Sequence, residues 1–406
     1  MKQNPQSIKE LKLGLALHIG EDSRFGIKQV GAFALAVIAG VALYIGACLA
    51  LTHWSDRVFL SNAEPWLRDI YMVKDTINEI PTSKQRVLVF GGSNNLFGFN
   101  GAMIEANVNV RFINYGTHGG LPINYHIDRI MRHAKRGDVL VFSPTLDAYG
   151  SSAPIGDYWY IHNMLSWQKD YRKYITLSQE IKSYMTNDII KSIRWLLRKG
   201  VSEEEVREFI ERNITATNMA TYSRESQALD SRAESSDMDL EGTELEYVDF
   251  SGLIFMPCQN PHYIDYGYKS IDMYGDFCGQ SGSHMLNATN DYFGGDMKVS
   301  AFFVQEFARL REFAQANDMR LYLIYPPTME NPSFSLKDPK TMEKIDNLAA
   351  QLAAQGIEIV GDFRDFHFER KFFYDTSYHL NTQGVQLRSA AFIKLLRELG
   401  VQAESR

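Results

Sequence analysis

From Gln29 to Thr52 the chain carries no Asp, Glu, Lys or Arg. A helix over residues 29–52 is long enough to cross the hydrocarbon core, which takes roughly 20 residues. Gly31, Ala32, Gly40 and Gly46 among branched apolar residues suit such a helix. A buried helix of a soluble core is the alternative, but the run is long as well as apolar on all sides. It is also too long, and begins too far from Met1, for a cleaved signal peptide. Residues 29–52 are therefore expected to form one transmembrane helix. Lys2, Lys9, Lys12, Arg24 and Lys28 precede it, and Arg57 is the only early cation after it. The positive-inside rule then makes 1–28 a cytoplasmic segment and puts everything after about His53 on the other side. Ile8–Ile19 alternates Leu11, Leu13, Leu15 and Leu17 with Lys9 and Lys12, and reads either as a helix on the inner membrane surface or as a tail.

The formal net charge of -7 argues against a nucleic-acid partner, which requires a basic face. Of the three cysteines, Cys48 falls in the apolar run, while Cys258 and Cys278 fall in the oxidising compartment this topology implies. They are a candidate disulfide, with two buried thiols as the alternative. Neither a CxxC nor a Cys/His metal spacing occurs, and no metal or other cofactor is expected.

Residues 53–85 read as a polar helical stalk ending at Pro81-Thr82-Ser83. Beyond it, short apolar strands alternate with helices. Arg86–Phe90 (RVLVF), Val108–Asn114 and Asp138–Phe142 (DVLVF) read as strands, with an amphipathic helix over Tyr125–Lys135 stopped by Gly137. The same grammar returns with a helix at Ala301–Asn317, a strand at Arg320–Tyr325, a helix at Lys340–Ala354, a strand at Ile357–Val360, and a last helix at Thr382–Leu399 capped by Asn381. This predicts an α/β fold, a flavodoxin-like three-layer sandwich with a parallel sheet, built from 86–148 and 301–406. Between them, 149–300 breaks the pattern and is expected to be an inserted lid or subdomain at the carboxyl edge of the sheet. Tyr158, Trp159, Tyr160, Trp167, Tyr171 and Tyr174 in it suit either a sugar-stacking platform or ordinary packing.

Two constellations carry chemistry. Gly91-Gly92-Ser93-Asn94-Asn95 directly follows the first strand. A Ser on that tight turn exposes its hydroxyl at the sheet's carboxyl edge, beside backbone amides able to hold an oxyanion. Read alone, it is also a plain helix N-cap. The GxGxxG pattern of a dinucleotide site is absent. Tyr374-Asp375-Thr376-Ser377-Tyr378-His379 precedes the last helix, on a loop returning to the same edge. His379 is placed to take the Ser93 proton and Asp375 to orient the imidazole; in isolation these are a loop histidine and a turn aspartate. His118, after the second strand, either lines the site or is exposed.

Together these blocks resemble the SGNH (GDSL-type) hydrolase superfamily, which places its nucleophile Ser after the first strand and its Asp and His just before the last helix. Asn114-Tyr115-Gly116-Thr117 is similar to the family's second block, and the resemblance implies an oxyanion hole from the Ser93 and Gly116 amides. Two departures stand out: Asp375 and His379 are four apart rather than three, and Ser143-Pro144-Thr145-Leu146-Asp147 stands where the family has Gly-x-Asn-Asp. Asn95 and Thr145 are the candidates for the missing side-chain donor.

The layout most resembles the anchored subgroup that includes alginate O-acetylation proteins and the D-alanyl transfer protein of teichoic-acid modification. The resemblance implies a single-pass protein of the bacterial inner (cytoplasmic) membrane, its catalytic domain periplasmic. It further implies an acyl group, expected to be acetyl, received on Ser93 beside a membrane-bound O-acyltransferase (MBOAT) family protein and passed to a polysaccharide hydroxyl. A polysaccharide acetyl esterase, and a non-catalytic polysaccharide-binding or assembly subunit, remain the alternatives.

Overall fold

The computed structural model describes residues 27–54, 66–151, 158–186, 203–214, 252–254, 266–295 and 297–401. The chain divides by its contacts into two units, residues 1–55 and 56–406. The first contains α1, Ile27–Trp54. Within it Gln29–Ala47 has a mean hydropathy of 2.2 and buries nothing, with Phe33, Leu35 and Leu43 at least two-thirds exposed. It is long and apolar enough to cross a membrane.

The second unit opens with α2, Trp66–Glu79. The expected stalk is corrected here. Leu67, Ile70, Tyr71, Val73 and Ile77 are fully or almost fully buried, and so are the polar Asp69, Lys74 and Asn78. The Lys74 ammonium donates to the carbonyls of Asn114 (2.6 Å) and Gly275 (2.5 Å), tying this helix into the domain.

The sheet elements follow in the predicted order: β1 (Gln85–Phe90), α3 (Ser93–Leu96), α4 (Gly101–Asn107), β2 (Val110–Asn114), α5 (Ile123–His133) and β3 (Val139–Phe142). The described parts of the insertion give α6 (Tyr158–Trp167), α7 (Leu177–Thr186) and α8 (Glu203–Asn213). Then come α9 (Ala301–Ala316), β4 (Arg320–Ile324), β5 (Thr328–Met329), α10 (Pro339–Ala353), β6 (Ile359–Val360), β7 (His367–Phe368) and α11 (Thr382–Glu398). Caps set the boundaries: Ser300, Asp338 and Asn381 each accept a hydrogen bond from the first turn of α9, α10 and α11.

Five strands form one sheet in the order β2-β1-β3-β4-β6, and every pairing is parallel. Successive strand residues point to opposite faces, and every residue of β2 and β3, and all but the first of β1, is buried. Both faces of the sheet centre are therefore covered, which explains the unbroken apolar runs. β5 and β7 pair as a separate two-stranded sheet.

The chain goes from β1 outward to β2, then crosses to β3 on the other side of β1. The order reverses between β1 and β3, and the crevice at their carboxyl ends is where such sheets bind ligands. Gly91-Gly92-Ser93 and Ser143 leave the sheet there.

Candidate functional site

The turn that carries Ser93 is built by its neighbours. Gly91 has φ +138°, and a Cβ added there would lie 2.6 Å from Asn95 Nδ2 and 2.8 Å from the Ser143 carbonyl. Only glycine permits both the angle and the approach. Asn94 and Asn95 both donate through their side-chain amides to the Ser143 carbonyl, at 2.9 and 2.8 Å, and Asn95 also reaches the Phe90 carbonyl at 3.1 Å. The first helical residue after β1 is Ser93, as the strand-turn-helix pattern required.

The loop that carries Asp375 and His379 closes on itself. The Tyr374 amide donates to the His379 carbonyl (2.8 Å), and the His379 amide to Thr376 Oγ1 (3.1 Å). This turn brings the imidazole back over the carboxylate despite the four-residue spacing: His379 Nδ1 lies 2.8 Å from Asp375 Oδ1. Tyr266 donates its phenol proton to Asp375 Oδ2. Burial alone would raise the Asp375 pKa; the hydrogen bonds from His379 and Tyr266 outweigh it and hold the carboxyl below its ordinary value. The His379 ring stacks on Phe97, 4.3 Å between centroids and 15° between planes. With Nδ1 turned to Asp375, Nε2 is the atom left for a proton from substrate or serine.

Ser93 and His379 line one cavity of about 210 Å³, with Trp66, Leu96, Phe97, Thr117, His118, Tyr160 and Tyr266. A larger, more open hollow of about 430 Å³ beside Glu330 and Arg370 holds neither Ser93 nor His379. His118 therefore lines the site and is not the exposed loop residue of the alternative reading. Its Nδ1 accepts the Gly120 amide at 2.9 Å and its Nε2 pairs with the Tyr160 hydroxyl. Burial, then the neighbouring His379 and His126, push the His118 pKa down to about 3, so it is neutral at physiological pH.

Two expected oxyanion donors are corrected. The Gly116 amide is occupied, donating to its own neighbour Asn114 Oδ1 at 2.7 Å. Asn95 is fully buried and its side-chain amide is already committed to the two carbonyls above, so it shapes the turn instead of facing the cavity. Thr145 is not among the cavity-lining residues. The backbone at Gly119 lies beside the serine: a Cβ there would be 3.9 Å from Ser93 Oγ, and one on Gly92 would be 3.2 Å from Gly119 N.

Of the insertion aromatics, Tyr160 faces the cavity, while Tyr171 and Tyr174 are buried and pack edge-on against Tyr125. Those two are core rather than a sugar platform. The side chains of Tyr158 and Trp159 lie outside the described residues. Cys278 is buried and disulfide-bonded; Cys258, its expected partner, lies outside the described residues.

The later part of the insertion holds the loop that carries Asp375 and His379. The His284 amide donates to the Tyr374 carbonyl (2.7 Å), Asn290 Nδ2 to Ser377 Oγ (2.8 Å), and the Tyr292 hydroxyl to the Ser377 carbonyl (2.7 Å). Sequence reading missed Trp66, Phe97 and Tyr266 in the site. Neither spacing nor motif marks them, only proximity in the fold.

No protein-family model matches the chain, and no curated protein matches it.

Proposed function

We propose that this chain is an acyl-transfer enzyme working through an acyl-Ser93 intermediate. The observation that carries the reading is one cavity shared by Ser93 and an imidazole whose other nitrogen is bonded to a half-buried carboxylate at 2.8 Å. Ser93 Oγ attacks the acyl carbonyl while His379 Nε2 takes its proton, and Asp375 steadies the imidazolium. Collapse of the tetrahedral adduct returns that proton to the leaving group and leaves the acyl ester on Ser93. An acceptor hydroxyl, deprotonated by His379, then takes the acyl group. The Ser93 amide and the Gly119 backbone, which lies beside Ser93 Oγ, are the candidate donors for the developing oxyanion.

Transfer to a polysaccharide is favoured over hydrolysis by the apolar helix at Gln29–Ala47, which would keep the domain at a membrane where an MBOAT-type partner offers acyl groups. The small cavity suits a short acyl chain such as acetyl. An esterase uses the same residues with water as acceptor. The non-catalytic reading draws support from the occupied Gly116 and Asn95 donors.

The test is labelling of the purified chain by a fluorophosphonate, with acetyl transfer from an aryl acetate to an oligosaccharide measured against release to water. Labelling and turnover are expected to vanish in Ser93→Ala and to fall steeply in His379→Ala. Equal aryl acetate turnover by the parent and Ser93→Ala would leave the binding-subunit reading standing.

A further inference from the structure

Arg388 lies on α11, whose N-terminus follows His379 by three residues, and it is completely buried. Buried arginines are ordinarily paired with a carboxylate. Among the described residues no carboxylate forms an ion pair with this one. Every hydrogen bond it makes goes to a neutral oxygen of the serine turn or its support. Nη1 donates to the Asn94 carbonyl (2.5 Å), and Nη2 to Asn95 Oδ1 (3.2 Å) and Ser143 Oγ (3.0 Å). The guanidinium lies 4.2 Å over the Phe99 ring, and Nε finds no partner. Residue 98 is shaped to admit it, since a Cβ on Gly98 would collide with Nη1.

The planar fork thus reaches the residue after Ser93, the next one along, and the end of β3 at once. It does so from the helix that starts where the base loop ends. Asn381 caps that helix through the Gly384 amide and also donates to Lys371 and Gly282 carbonyls. Ser389 adds a second tie by accepting the Asn100 amide at 2.9 Å.

We propose that Arg388 is a positioning residue that fixes the separation of Ser93 and His379 by pinning the nucleophile turn to the helix behind the base loop. The inference rests on the reading of Ser93 as nucleophile. A fork with several fixed donors does this where a single-headed side chain cannot. Burial depresses the guanidinium pKa, in keeping with a charge kept for its geometry at a cost in solvation.

The test compares the parent, Arg388→Lys and Arg388→Gln, each below its own melting transition, by fluorophosphonate labelling rate and by the kcat and KM for an aryl acetate. Misplacement of a reacting group by about 1 Å costs on the order of 100-fold, so Arg388→Gln is expected to label about 100-fold more slowly with KM changed by less than about threefold. Arg388→Lys, which keeps a cation with rotatable donors, is expected to recover about tenfold of that loss. Labelling of folded Arg388→Gln at the parent's rate, or Lys no faster than Gln, overturns the proposal. Should Arg388→Gln not fold, Ser143→Ala decides: it removes one acceptor, and several-fold slower labelling supports the proposal while an unchanged rate overturns it. A parent that the reagent does not label at Ser93 removes the nucleophile reading itself, and this inference with it.

Discussion

Tyr266→Phe removes one of the two hydrogen bonds that Asp375 accepts, and its consequence can be worked out from the geometry. Asp375 Oδ1 faces His379 Nδ1 at 2.8 Å and Oδ2 takes the Tyr266 proton. Hydrogen bonds to charged groups contribute about 1.5–3 kcal/mol. The Asp375 side chain is 29% exposed, so water partly replaces the lost donor and the lower end applies. A loss of about 1.4 kcal/mol corresponds to about a tenfold fall in kcat/KM for an aryl acetate. Asp375→Asn, which favours the wrong imidazole tautomer, is expected to cost about 10³–10⁴-fold.

If Tyr266 acts only through the carboxylate, the double variant is no slower than Asp375→Asn alone, within about twofold. A full tenfold further loss when Tyr266→Phe is added to Asp375→Asn would refute this reasoning and give Tyr266 a direct role. The pH dependence carries a second signature. The folded carboxyl titrates below its ordinary value, so its contribution to stability is present above that value and is lost as pH falls through the lower, folded one. Losing the Tyr266 bond moves the folded value upward, so inactivation by acid is expected to set in at higher pH in Tyr266→Phe.

Gly91→Ala forces a side chain into φ +138° and against Asn95 and Ser143, and should destabilise by about 2 kcal/mol or more in urea titration. Lys74→Met removes the two buried hydrogen bonds to the Asn114 and Gly275 carbonyls and leaves those oxygens unpaired, and a loss of about 2 kcal/mol or more is expected by the same measurement. A chain starting at residue 56 should leave the membrane fraction on expression and melt as a cooperative unit, checked by fractionation and calorimetry, because the units divide at Ser55. Asn95→Ala should lower melting temperature and labelling rate together, since its amide ties the turn to Phe90 and Ser143.

The parallel sheet was legible because strands buried on both faces must be apolar throughout, and Arg86–Phe90 and Asp138–Phe142 nearly are. The two-residue strands β5 and β7 leave no periodic trace and were missed. Trp66–Glu79 was misread as a stalk because Asp69, Lys74 and Asn78 look solvated in sequence, whereas each is buried. That Ser93, Asp375 and His379 meet at one edge of the sheet was legible from their placement at strand and helix ends. The Gly116 amide was misassigned because its acceptor is a side chain two residues earlier, a local turn that no strand-level reading reveals. Tyr266 sits in an aromatic-rich stretch without spacing, and only the folded chain brings it to Asp375, 109 residues further on.

The three bonds from His284, Asn290 and Tyr292 to Tyr374 and Ser377 splint the loop that carries Asp375 and His379. On the proposed acyl-transfer reading, a graft that exchanges residues 284–292 for another sequence is expected to slow turnover even of a small aryl acetate, because the loop that holds the imidazole loses its outer support.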